Sequence, residues 1–167
     1  MRASIGVLLT LAMAPTAMAQ QVKPACTDDG RQCMVMAAKS YLEGLVHHDG
    51  SKVLLAPTVT RSEQGHVNTR DEAALRKSLD HEPAMLGYSN LRFIIDTETH
   101  QLVYYTLLHL SMRADQVPAG TPPGPVTVHL AERFKVEHGL ITEIEALFYN
   151  QAGTADGVSG WEESSQP

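Results

Sequence analysis

Phe134 to Phe148 reads FKVEHGLITEIEALF. Two runs of alternating apolar and polar residues meet at His138-Gly139, where glycine reaches the positive φ that a tight turn between antiparallel strands requires. Val136, Leu140, Ile141 and Ile144 supply the face to be buried. The stretch is expected to form a terminal β-hairpin, which constrains the fold more tightly than the chemistry.

Working back from it, Val126 to Val136, Leu102 to Arg113 and Leu91 to Ile95 alternate in the same way and are expected to be strands. Before them, Ala37, Ala38, Tyr41, Leu42, Leu45 and Val46 recur at steps of three and four and predict a helix over Cys33 to His48. Its end is marked by His47, His48, Asp49 and Gly50. A short second helix is expected over Ser51 to Leu55, a polar edge strand over Val59 to Val67, and a third helix beginning at Asp71, whose carboxylate suits an N-cap. Helices followed by a largely antiparallel sheet make an α+β chain. Ala114 to Pro125 holds four prolines and two glycines and is expected to be a stiffened loop, flanking a cavity mouth or merely connecting strands. Residues 151–167 are polar and acidic, apart from Trp161, and are expected to be a flexible tail.

Met1 to Ala19 is expected to be a cleaved signal peptide. It has a basic start at Arg2, an apolar run too short to span a bilayer, Pro15, and the small residues Ala17 and Ala19 at its end. Residues 20–150 then make one domain. The 13 basic and 19 acidic residues give a formal charge of −6, or −7 without Arg2. With no basic stripe, nucleic acid is a disfavoured partner. The only two cysteines, Cys26 and Cys33, flank a turn-forming Asp28-Asp29-Gly30 in an exported chain, which predicts a local disulfide and a periplasmic or secreted location. No further membrane segment is expected.

The stretches YLEGLVHHDGSKVLLAP, from Tyr41, and FKVEHGLITEIEAL, from Phe134, resemble the nuclear transport factor 2-like superfamily, which includes ketosteroid-isomerase-like and polyketide-cyclase-like proteins. The resemblance is narrower to small exported proteins that begin with a nearby cysteine pair. It covers Cys26 to Phe148 and weakens around Ser62 to Tyr88 and in the proline-rich loop. It implies a curved sheet wrapped around three helices into a cone with an apolar cavity, and a homodimer formed through the outer face of the sheet. It also implies cofactor-free acid/base chemistry on hydrophobic small molecules, or ligand binding without chemistry.

Candidate residues follow from strand alternation. Glu132 interrupts the otherwise apolar series Val126, Val128, Leu130, Phe134 and Val136. A desolvated carboxylate there suits a general acid or base, unless Arg92 or Arg113 pairs with it. On Leu102 to Arg113, Tyr105 and His109 share one face and Tyr104 and Thr106 the other, while His129 and Arg133 join His109 and Tyr105 in register. The expected catalytic residues are therefore His109, Glu132 and Tyr105, with Tyr41, Tyr104, His129 and Arg133 contacting substrate. The competing reading makes the odd-numbered set a solvated or dimer-facing surface. His47, His48 and Asp49 do not make a metal site, because adjacent helical side chains diverge by about 100°. No nucleotide, zinc-protease or serine-hydrolase motif occurs, and no cofactor is expected. The sequence thus points to an exported lyase, isomerase or hydrolase. Its substrate is hydrophobic and, by resemblance to relatives acting on lignin-derived diaryl alcohols, aromatic. The alternative is a non-catalytic binding or interaction protein of the same fold.

Overall fold

A computed structural model describes Lys23 and residues 26–80, 85–112 and 124–153. The expected signal peptide, most of the proline-rich loop and residues 154–167 of the tail lie outside the described residues. The elements run α1 (Arg31–His47), a 3-10 turn (Gly50–Lys52), β1 (Leu55–Glu63), β2 (His66–Thr69), α2 (Glu72–Leu79), β3 (Met85–Asp96), β4 (Gln101–Met112), β5 (Gly124–Glu137) and β6 (Leu140–Ala152). The strands form one curved mixed sheet in the order β2-β1-β6-β5-β4-β3, so the chain is α+β.

The apolar stripe foreseen for α1 is buried at Met34, Ala37, Ala38, Tyr41, Leu42 and Leu45. It packs against the even-numbered residues of β4 and β5, Leu102 to Leu110 and Val126 to Val136, in one continuous core. Burying a large apolar side chain in such a core contributes about 1.5–3 kcal/mol. α1 stops because His48 turns left-handed, φ 52°, and the Asp49 amide donates to Gly44 O at 3.0 Å. Asp49 then accepts from the Ser51 amide at 3.0 Å, so the His48-Asp49 pair shapes the turn. Asp71 caps α2 as anticipated, accepting from the Ala74 amide at 2.8 Å.

Three local readings change. The second helix is a single 3-10 turn, because Pro57 follows and the intervening residues are drawn into β1. With α1 and α2 it makes two α-helices and one turn among the described residues, against the three helices implied by resemblance. Val59 to Val67 divides at Gln64-Gly65, both at positive φ, into β1 and the start of β2. β1 is not an edge strand, since it lies between β2 and β6 and runs parallel to β6. A parallel neighbour arrives only through a long crossover, which local alternation cannot signal.

The terminal hairpin forms at His138-Gly139, with φ 53° and 74°. Cys26 and Cys33 are joined in a disulfide, their Cα atoms 5.6 Å apart, which ties the N-terminal arm to α1. The same loop reaches the hairpin through Asp29 Oδ1, which accepts from the Gly139 amide at 3.3 Å.

Gly50 lies directly on α2. A Cβ there would meet Arg76 O at 2.7 Å and Arg76 Cα at 2.9 Å, both backbone atoms. Gly50→Ala is therefore expected to lower stability by about 1–3 kcal/mol, the cost of overpacking, read as a lower urea midpoint with an unchanged slope.

Candidate functional site

The sheet has two faces of opposite character because successive side chains alternate. On the inner face a single row crosses five strands: Glu63 on β1 pairs with Ala146 on β6, which pairs in turn with Glu132, Tyr104 and Phe93 on β5, β4 and β3. The small Ala146 side chain leaves room between the carboxylates of the first and third positions. Arg61, two residues before Glu63 on β1, is 7% exposed and enters that room.

Glu132 is 1% exposed. Its Oε2 accepts from the Tyr104 hydroxyl, and its Oε1 lies 3.8 Å from Arg61 Nε, an ion pair longer than a hydrogen bond. Arg61 pairs on its other side with Glu63 Oε1 at 2.5 Å, and its guanidinium carbon stands 6.0 Å from the centre of the Tyr41 ring. Burial alone would lower the Arg61 pKa, but Tyr41, Glu132 and Glu63 outweigh it and raise the value. Burial also drives the Tyr104 phenol well above its ordinary value, helped by the adjacent Glu132. The phenol is therefore a proton donor throughout the neutral range, and the arginine is a fixed cation.

Tyr41, Tyr104 and Phe134 pack ring to ring at this level, with centroids 5.5 Å and 5.1 Å apart, and Phe93 meets Tyr104 at 6.2 Å. Tyr41 and Tyr104, expected as substrate contacts, are fully buried here beside Glu132.

The remaining expected residues stand on the opposite, outer face. Tyr105 pairs with Ala131, and His109 with Thr127, in the odd register that also carries His129 and Arg133. His109, Tyr105 and Glu132 therefore do not meet at one substrate, because odd and even positions of a strand point to opposite sides. His109 Nε2 contacts Ser89 Oγ at 2.9 Å, and His129 Nε2 contacts Gln151 Oε1 at 2.9 Å. Arg133 lies between Glu145 and Glu143, 3.1 Å from each. The odd set is also long. Arg133 faces Val103, six residues along β4 from His109, a separation of about 20 Å that no small substrate spans.

The sequence reading missed Arg61. The sequence alone offers Arg92 or Arg113 as a pairing partner, as the alternative to a catalytic Glu132. Arg92 pairs in register with Tyr105 on the outer face, and Arg113 lies outside the described residues. Its signal was present in the alternation Val59, Arg61, Glu63, where a cation sits between an apolar residue and an acid.

The outer face carries an open concavity of about 900 Å³. Four strands contribute Phe93, Thr106, Leu130 and Phe148 together with outward-facing neighbours, among them Ile94, Tyr105, His129, Leu147 and Tyr149. Among the described residues, the three metal-donor side chains that come within 4.8 Å of one another are Cys26, Asp28 and Cys33. Two of these are the disulfide sulfurs, so the group is a crosslink. No helix among the described residues is long and apolar enough to cross a membrane.

A family model covers residues 27–148. The chain belongs to DUF8021, a domain of unknown function. No curated protein matches it in sequence. Among solved structures it is similar to an epoxide hydrolase of M. tuberculosis, at 16% identity and a TM-score of 0.54, over 71% of this chain and 84% of the other. It is similar to the epoxide hydrolase/cyclase-like enzyme SalBIII of salinomycin pyran-ring formation, at 9% and 0.58, over 72% and 94%. A third likeness is to a nuclear transport factor 2-like protein of unknown function from Cytophaga hutchinsonii, at 13% and 0.51, over 71% and 97%. These likenesses show that this DUF8021 chain has the nuclear transport factor 2-like cone fold.

The Tyr104 phenol has a measurable signature. Its pKa in the folded chain is raised above 10.0, so above that pH the unfolded chain loses a proton that the folded chain retains. Stability from this group is present in full below pH 10 and falls as pH rises beyond it. Tyr104→Phe is expected to flatten the alkaline decline of stability, measured as melting temperature between pH 8 and pH 12.

Proposed function

We propose that this DUF8021 chain is a cofactor-independent acid/base enzyme, exported to an oxidising compartment, with Glu132 as its base and a small apolar, aromatic molecule as its substrate. The reading is carried by one observation: a carboxylate sits beside a cation and a phenol inside an otherwise apolar interior. Replacing a buried ion pair by well-packed apolar residues is commonly neutral or stabilising, so core packing alone gives no reason for this one. Buried ionisable groups of this kind concentrate where chemistry is done.

In this reading the Arg61 charge keeps Glu132 ready to accept a proton, from the substrate or from an attacking water. The same cation then faces the negative charge that develops on a substrate oxygen. Tyr104 donates its hydrogen bond to Glu132 before reaction and is the nearest acid to return a proton afterwards. Entry is from the β1 side, where Glu63 connects the cluster to solvent; its side chain is 35% exposed, against 8% for Arg61. The rings of Phe93, Phe134 and Tyr41, packed around Tyr104, keep the surroundings of the carboxylate apolar. Hydrolysis, isomerisation and fragment elimination all begin with such a proton removal. The disulfide and the signal-like N-terminus support a periplasmic or secreted location.

The test is turnover of small apolar epoxides, ketones and aryl alcohols by the purified chain and by Glu132→Gln, with folding followed by circular dichroism. Glu132→Gln is expected to lose about 10²-fold or more in turnover while still binding the substrate. Undiminished turnover in the folded variant would remove Glu132 from the mechanism, and binding without turnover by the unaltered chain would make it a binding protein.

A further inference from the structure

Ser89 and His109 meet on the outer face of the sheet. His109 Nε2 lies 2.9 Å from Ser89 Oγ, and both residues are half-buried. The pairing of β3 with β4 sets this contact: Ser89 stands opposite Leu107 and Gly87 opposite His109, so the two polar side chains are diagonal neighbours on one face. A hydroxyl within hydrogen-bond reach of an imidazole is the arrangement that makes a serine nucleophilic.

The surroundings favour a reaction at this pair. The register of β3 on β4 shifts between Ser89 and Arg92, and Asn90, directly after the serine, takes φ 57°. Bulges of this kind re-aim side chains and are frequent beside active sites. Asn90 also lines the outer concavity of about 900 Å³, and its Nδ2 is buried with no hydrogen-bond partner among the described residues. An unused donor is rare in a folded chain and calls for an acceptor. Leu107, and Thr106, whose Oγ1 donates to Ser89 O at 2.9 Å, line the same concavity. The serine therefore stands at the margin of an apolar groove. Beside His109, a Cβ built on Gly87 would meet no atom within 4 Å, which leaves space for an approaching group.

We propose that Ser89 and His109 form an esterase site on the outer face, with the groove receiving the apolar part of a carboxylic ester. With the imidazole proton on Nδ1, Nε2 takes the proton of the Ser89 hydroxyl as Oγ bonds to the ester carbonyl carbon. The tetrahedral adduct then collapses by breaking the bond to the alcohol oxygen, which leaves with the proton from His109. Water attacks the acyl carbon while giving a proton to His109, and that proton returns to Oγ as the carboxylic acid departs. Phe93, Leu107, Leu130 and Phe148 in the groove walls suit an apolar acyl or aryl group. The site is independent of the role given to Glu132, which lies on the other face.

The full chain is to be treated with p-nitrophenyl butyrate and, separately, with an alkyl fluorophosphonate, and the labelled position read by peptide mass spectrometry. A phosphonyl group on Ser89 is expected, since a serine that serves only as a hydrogen-bond partner does not react. Ser89→Ala is expected to lose the label, and both Ser89→Ala and His109→Gln to lower ester hydrolysis about 10²-fold with unchanged circular dichroism. Ser111→Ala, at an exposed position on β4, is expected to keep both. Absence of label on Ser89 in the unaltered chain would overturn the proposal, and this measurement requires no variant to fold. So would undiminished hydrolysis by folded Ser89→Ala.

Discussion

The structure depends on how one charge is held inside the sheet. A carboxylate among Leu130, Phe134 and the rings around it needs polar partners, because removing a charged group from water costs several kcal/mol. Its partners come from separate strands: the Tyr104 hydroxyl on β4 and the Arg61 guanidinium on β1, the latter secured by Glu63. The cluster therefore requires β1 beside β6, the register of β4 on β5, and the small Ala146 between them. A slip of one residue in either pairing would turn Glu132 or Tyr104 to the other face. Chemistry and topology are in this sense a single constraint.

The two faces of the sheet have separate tasks because the described helices cover only one of them. α1 buries the inner face, and the ring contacts of Tyr41, Tyr104 and Phe134 fill the level at which Glu132 sits. The outer face keeps a broad apolar groove between strands. Polar residues there satisfy one another locally, as Arg133 does with Glu143 and Glu145. The histidines and tyrosine of that face are therefore separated from the inner charge by the thickness of the sheet. Fold similarity to epoxide hydrolase-like proteins fixes the scaffold but leaves the reaction to these particular side chains.

The N-terminal loop joins the ends of the fold. The disulfide holds it to α1, and Asp29 within it accepts from the Gly139 amide and approaches His138 and His100 at 3.6 and 3.9 Å. The turns β3–β4 and β5–β6 are thereby gathered around one carboxylate. A short covalent loop of this kind removes little chain entropy by itself, so its main effect is to position Asp29.

The sequence by itself determined the elements whose signals are local. The alternation of β4 to β6, the stripe of α1, the Asp71 cap, the His138-Gly139 turn and the Cys26–Cys33 bridge all depend on neighbours close in the chain. Alternation also showed that Glu132 shares an apolar face and that His109 and Tyr105 share another, since period two is a local property. Only the tertiary structure decided which arginine meets Glu132. Arg61 lies 71 residues away on a strand whose parallel place beside β6 is set by a long crossover, and no spacing in the sequence records that neighbour. It likewise decided that the rings close around the carboxylate while the open groove lies behind the sheet, because burial depends on what the helices cover.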